Sequence, residues 1–178
     1  DERIEIVQNL NVFSTKAISK SDRTDQFNLD PYSGLQSNLF DMQIDQVHTK
    51  TTGKNISIAM IDTGVDTKHP DLEGQISRNK NFAEAYSSGF ANDKHGTAVA
   101  GVIIAKKDNG TGIVGVAPDA NLIALKACWP EKDGSMAAKC NSFTLALAVN
   151  NAINSGAKIL NMSLTGPYDP ILALLLKK

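Results

Sequence analysis

The stretch Ile56-Ser57-Ile58-Ala59-Met60-Ile61-Asp62-Thr63-Gly64 decides the fold. Ile56–Ile61 is a short apolar run rich in isoleucine, suited to a strand buried on both faces. Asp62-Thr63-Gly64 ends it in a turn and leaves a carboxylate where the strand stops. Further along, His95–Ala105 combines small and apolar residues suited to a helix lying close on a sheet, with His95 at its N-terminal end. Leu122–Ala127 predicts a second strand and Ile159–Met162 a third. Between those two, Ser142 is a candidate N-cap for a helix in which Leu145, Ala148, Val149, Ala152 and Ile153 recur at helical spacing. Gly156 ends that helix.

Strands alternating with helices predict an α/β fold, a parallel sheet flanked by helices on both faces. In such sheets ligands sit beyond the carboxyl ends of the strands. Asp62 ends the first strand and Ser163-Leu164-Thr165-Gly166 follows the third, so the site is expected along one rim.

Composition narrows the function. Of 178 residues 42% are hydrophobic, enough for one sizeable core. The formal net charge is -1, from 18 basic and 19 acidic residues without a basic stripe, which argues against nucleic acid as a partner. The longest apolar runs, such as Val99–Ala105 and Ile171–Leu176, fall well short of the roughly 20 residues that cross a bilayer. No membrane partner is expected. The charged opening Asp1–Glu5 lacks signal-peptide character, which leaves the compartment open because a secreted chain loses its signal. Residues 1–30 are polar, glycine-free and weakly patterned. They read as a linker, an extension or the end of a removed pro-region. Cys128 and Cys140 fit neither a CxxC redox pair nor a zinc site. Two readings stay open for them: unrelated small core residues, or a disulfide closing a loop in an oxidising compartment. The histidines have no ligand spacing, so zinc is not expected. His48 has no motif and reads as a surface histidine, and His69, before Pro70, reads as structural.

Four segments in order carry the chemistry. They are Ile58-Ala59-Met60-Ile61-Asp62-Thr63-Gly64-Val65-Asp66 with His69-Pro70-Asp71-Leu72, then His95-Gly96-Thr97-Ala98-Val99-Ala100-Gly101, then Gly115-Val116-Ala117-Pro118, then Asn161-Met162-Ser163-Leu164. Together they resemble the aspartate motif, the histidine motif and two further blocks of subtilisin-like serine peptidases, from about Tyr32 to the last residue. The resemblance implies that 31–178 is the N-terminal part of such a peptidase domain, a truncated subtilisin-like fold. It implies a serine endopeptidase acting on protein or peptide substrates, secreted or periplasmic, with Asp62 and His95 as two members of its Asp–His–Ser triad. A serine hydroxyl is a poor nucleophile until an imidazole accepts its proton, and a carboxylate holds that imidazole in the working tautomer.

The same resemblance implies that Ser163, Leu164 and Thr165 pair with extended substrate, with Thr165 in place of the usual glycine. Gly134 and Ser135 match a second substrate-binding segment inside an enlarged loop. Lys107–Ile113 resembles a loop that wraps calcium, with Asp71 and Asn109 offering side-chain oxygens and Lys107, Thr111 and Ile113 offering carbonyls. The family's Gly-Thr-Ser-Met block and its oxyanion asparagine do not occur among the 178 residues. Gly134-Ser135-Met136-Ala137-Ala138 mimics the former but precedes the Asn161-Met162-Ser163-Leu164 strand, and Ser135 is rejected as nucleophile. The expectation is therefore a C-terminal remainder that carries the serine. The alternative is a non-catalytic subtilase-like binding or inhibitory module.

Overall fold

The computed structural model describes residues 5–7 and 29–177. Its frame is a five-stranded, wholly parallel sheet. In chain order the strands are β1 (Glu5–Val7), β2 (Ser57–Asp62), β3 (Ile76–Asn81), β4 (Asn121–Lys126) and, after a hairpin, β7 (Ile159–Met162). They lie in the spatial order β1-β7-β2-β4-β3. The hairpin pairs β5 (Cys128–Pro130) antiparallel with β6 (Ala138–Cys140). The helices are the short α1 (Ser37–Asp41) and α2 (Ile44–His48), the longer α3 (Lys94–Ile104) and α4 (Ser142–Ile153), and α5 (Pro170–Leu175).

The period of two in Ile58-Ala59-Met60-Ile61 divides the core. Ile58 and Met60 join Leu122 and Ala124 on one face, under Ala100 and Ile104 of α3. Ala59 and Ile61 join Ile123 and Leu125 on the other, under Ala148, Val149 and Ala152 of α4. Strands buried on both faces need apolar residues at consecutive positions, which is why β2 and β4 read as unbroken runs. Both helices bring alanines to the sheet and so lie close to it.

The predicted α/β sheet with helices on both faces is the observed one, and the three predicted strands fall within a residue of β2, β4 and β7. Several details differ. The cap of α4 is Asn141, whose side chain accepts the Thr144 N–H in a capping box, and Ser142 is the first helical residue. β3 escaped prediction because Ile76-Ser77-Arg78-Asn79-Lys80-Asn81 is almost wholly polar, as suits an exposed edge strand. At the β7 edge of the sheet Glu5–Val7 pairs in parallel, with Ile6 opposite Leu160. That strand falls within the 1–30 stretch, most of which lies outside the described residues. His48 is buried, not a surface histidine, and its Nε2 lies 3.0 Å from the Val116 carbonyl.

Candidate active site

The rim forms where β2, β4 and β7 end together. Asp62 and Lys126 are register partners across β2 and β4, and Met162 pairs with Ile61. Asp62 therefore stands at the end of a central strand, 1% exposed. The Asp62-Thr63-Gly64 turn then runs against the start of α3, which carries His95 in its first turn.

The structure brings the two together. His95 Nδ1 lies 2.7 Å from Asp62 Oδ1, and the same oxygen accepts the Thr63 N–H at 2.6 Å. Burial pushes the Asp62 carboxyl above its usual range, against the hydrogen bonds from His95 and Thr63 that pull it down. With Nδ1 donating to the carboxylate, Nε2 is left as the ring's acceptor. The imidazole is 29% exposed, so that acceptor is within reach of solvent.

Cross-links between the turn and the helix hold this geometry. Gly96 N–H, an unsatisfied donor of the first helical turn, bonds Thr63 Oγ1 at 2.9 Å. Asp66 N–H donates to Thr97 Oγ1 at 2.9 Å, and that hydroxyl donates to the Asp93 carbonyl at 2.8 Å. So close an approach excludes side chains at two positions. A Cβ on Gly64 would stand 2.1 Å from the Phe90 carbonyl oxygen, and one on Gly96 2.4 Å from that of Gly64.

The other predicted residues fall around this pair. Ser163 follows β7, with its hydroxyl accepting from Asn161 Nδ2 at 3.1 Å. Leu164 packs against the α4-side core, and Thr165 is exposed. Gly134 and Ser135 sit in the β5–β6 loop. Gly134 lies beside Lys94 and helps line a cavity of about 620 Å³ between the hairpin and the Glu84–Gly89 segment. The Ser135 hydroxyl accepts the Ala137 N–H at 3.0 Å, and no hydrogen bond links it to His95 among the described residues. Cys128 and Cys140 are disulfide-bonded at the base of the hairpin, which resolves their two readings. Beside them Trp129 stacks on Tyr86 with ring centroids 4.0 Å apart. The Nδ1 of His69, read as structural, accepts the Asp71 N–H at 3.3 Å.

The 107–113 loop holds a residue that sequence reading missed. Asp30, 2% exposed, accepts the N–H groups of Asp108, Asn109 and Gly110. Asp71, equally buried, accepts from Asn109 Nδ2 at 2.9 Å and the Ile113 N–H at 2.9 Å. Among the described residues no Lys, Arg or His pairs with either acid. Two buried carboxylates answered only by N–H groups suit a hard cation. No cluster of three acids or other strong metal ligands occurs among the described residues, so carbonyls would complete such a site.

A carboxylate at a strand end thus faces an imidazole on the next helix, with a glycine on each side of their junction. The family model described as the Subtilase family matches residues 53–173, and the chain belongs to that family. It is 41% identical over 123 residues to the major intracellular serine protease of Bacillus subtilis (strain 168), covering 66% of this chain and 36% of that protein. To thermitase of Thermoactinomyces vulgaris it is 34% identical over 138 residues, covering 77% of this chain and 47% of that one. The chain thus spans less than half the length of either relative. A solved structure of the prenylagaramide maturation protease PagA superposes with a TM-score of 0.58 at 24% identity, over 75% of this chain and 45% of that one, a likeness of fold.

Proposed function

We propose that this chain supplies the aspartate and histidine of a subtilisin-like serine endopeptidase. The observation that carries the reading is the 2.7 Å contact between Asp62 Oδ1 and His95 Nδ1 at the carboxyl rim of the sheet. His95 Nε2 takes the proton of a serine hydroxyl as that oxygen attacks the peptide carbonyl, and returns it to the leaving amine. Asp62 keeps Nδ1 protonated and stabilises the imidazolium without itself taking the proton. The serine and the oxyanion donors come from polypeptide outside these 178 residues.

Extended protein or peptide substrate lies between Ser163-Leu164-Thr165 and the hairpin loop bearing Gly134 and Ser135, pairing by its main chain. The disulfide supports an oxidising compartment, secreted or periplasmic. No helix among the described residues is long and apolar enough to cross a membrane. Calcium would be held by Asp30, Asp71, Asn109 and the carbonyls of Lys107, Thr111 and Ile113, as a structural clamp apart from the chemistry. Its removal by chelation should lower the melting midpoint, and re-addition should restore it.

The test treats the full-length protein with a serine-directed fluorophosphonate and maps the adduct by mass spectrometry. Labelling of a serine beyond Lys178, with hydrolysis of a chromogenic peptide, is expected. An adduct on Ser135 would require a different active site.

A further inference from the structure

Lys126 is the largest fully buried side chain in the molecule's described part, 0% exposed at the end of β4. Nothing in the acid–base chemistry above uses it. Its ammonium donates to Asp93 Oδ2, to Ser87 Oγ at 3.0 Å and to the Gly89 carbonyl at 2.6 Å. Those three acceptors match its three N–H donors, so the charge is buried but fully answered.

Asp93 behaves unusually for its position. It is the N-cap of α3, where an aspartate ordinarily turns its carboxylate back onto the second or third N–H of its own helix. Here it makes no such bond. The third helical N–H, that of Gly96, is satisfied by Thr63 instead. Asp93 Oδ2 reaches out to the Gly64 N–H at 2.7 Å, and that same oxygen is the one held by Lys126. The pair thus joins three elements. Lys126 ends β4 as register partner of Asp62, Gly64 closes the turn that carries Asp62, and Asp93 stands two residues before His95.

We propose that the buried Lys126–Asp93 pair is a positioning device for the Asp62–His95 contact, fixing the turn and the helix start in one register. The lysine draws the Asp93 carboxylate off its own helix and aims it at Gly64. An aspartate freed from that pull could return to capping α3, and the turn would lose its bridge. This rests on reading Asp62 and His95 as the working pair. Its test needs no turnover, so its failure is distinguishable from failure of the peptidase reading.

The experiment compares the protein with its Asp93→Asn and Lys126→Met variants by NMR. One readout is the downfield His95 Nδ1–H resonance, and the other is amide exchange at Gly64 against exchange at Ile123 and Leu125 in β4. Asp93→Asn keeps the shape of the side chain and removes the ion pair, so it carries the test if Lys126→Met does not fold. The expected result is Gly64 exchange faster by roughly tenfold or more, as for a lost hydrogen bond to a charged group. The His95 resonance should be lost or moved upfield, with β4 protection unchanged. An unmoved His95 resonance with unchanged Gly64 exchange would overturn the proposal. So would a uniform loss of protection through β4, because that is a role in stability alone.

Discussion

The two segments that border the rim are built to different standards. Where the Asp62-Thr63-Gly64 turn meets the start of α3, the Gly96 N–H donates to Thr63, and the Asp66 and Gly64 N–H groups donate to Thr97 and Asp93. The β5–β6 hairpin is closed at its base by the Cys128–Cys140 disulfide, with Trp129 stacked on Tyr86, and its tip at Gly134 is exposed. The contrast follows from the tasks proposed for them. A proton relay works only within hydrogen-bond reach, so its partners are cross-linked from two elements. A wall against which varied peptides lie needs a fixed root and an adaptable tip.

Removing the staple should have the largest effect on stability. The Cys128→Ser/Cys140→Ser variant should lose about 3 kcal/mol in the chain-entropy account of a loop of this size. Thermal unfolding would measure that loss. The comparison requires that Trp129, the only tryptophan, report the change in its fluorescence while the His95 Nδ1–H resonance stays in place. A displaced His95 resonance would mean that the hairpin and the junction are one unit.

Gly64→Ala should cost somewhat less stability, about 1–3 kcal/mol, but should strike the junction itself. Its new methyl meets the Phe90 backbone at 2.1 Å, and the turn that carries Asp62 must shift. Loss of the His95 resonance despite a modest fall in melting midpoint is the expected pattern. A resonance identical to the parent's would break the account of the junction.

The smallest effect concerns Asp62 and has the opposite sign. Burial raises its carboxyl above the ordinary value, so the charged form is the costly one in the folded state. Stability from this group is fully present below the unfolded pKa and falls as pH rises through the folded one. Asp62→Asn should therefore unfold at the same or a higher temperature than the parent at neutral pH. That advantage should shrink as pH falls through the carboxylate range. A variant less stable at every pH would show that the His95 and Thr63 bonds outweigh burial.

How much of this was legible in the sequence varies with burial. β2 and β4 carry continuous apolar runs and β7 is apolar but for Asn161, and the aspartate and Asn161-Met162-Ser163-Leu164 motifs lie at strand ends. β3 was hidden because an edge strand need not be apolar, and His48 because a buried histidine bonded to a carbonyl leaves no local pattern. The charged residues were hardest. Asp30 lies far from the 107–113 loop in sequence, and Lys126 is a charged residue within the predicted strand Leu122–Ala127. A lysine near the end of the apolar run Leu122–Ala127 was the available signal.

The central claim is that Asp62 and His95 form the acid–base half of a serine peptidase site. The most direct measurement is kcat/KM of the full-length protein and its His95→Ala variant on one chromogenic peptide at neutral pH. In subtilisin itself, a member of this family, losing the histidine or the serine alone costs about 2 × 10⁶ in turnover. The account predicts a fall of that order, with folding intact by circular dichroism. Turnover in the folded His95→Ala variant within about tenfold of the parent would contradict it, since a general base supplies at least 10²-fold.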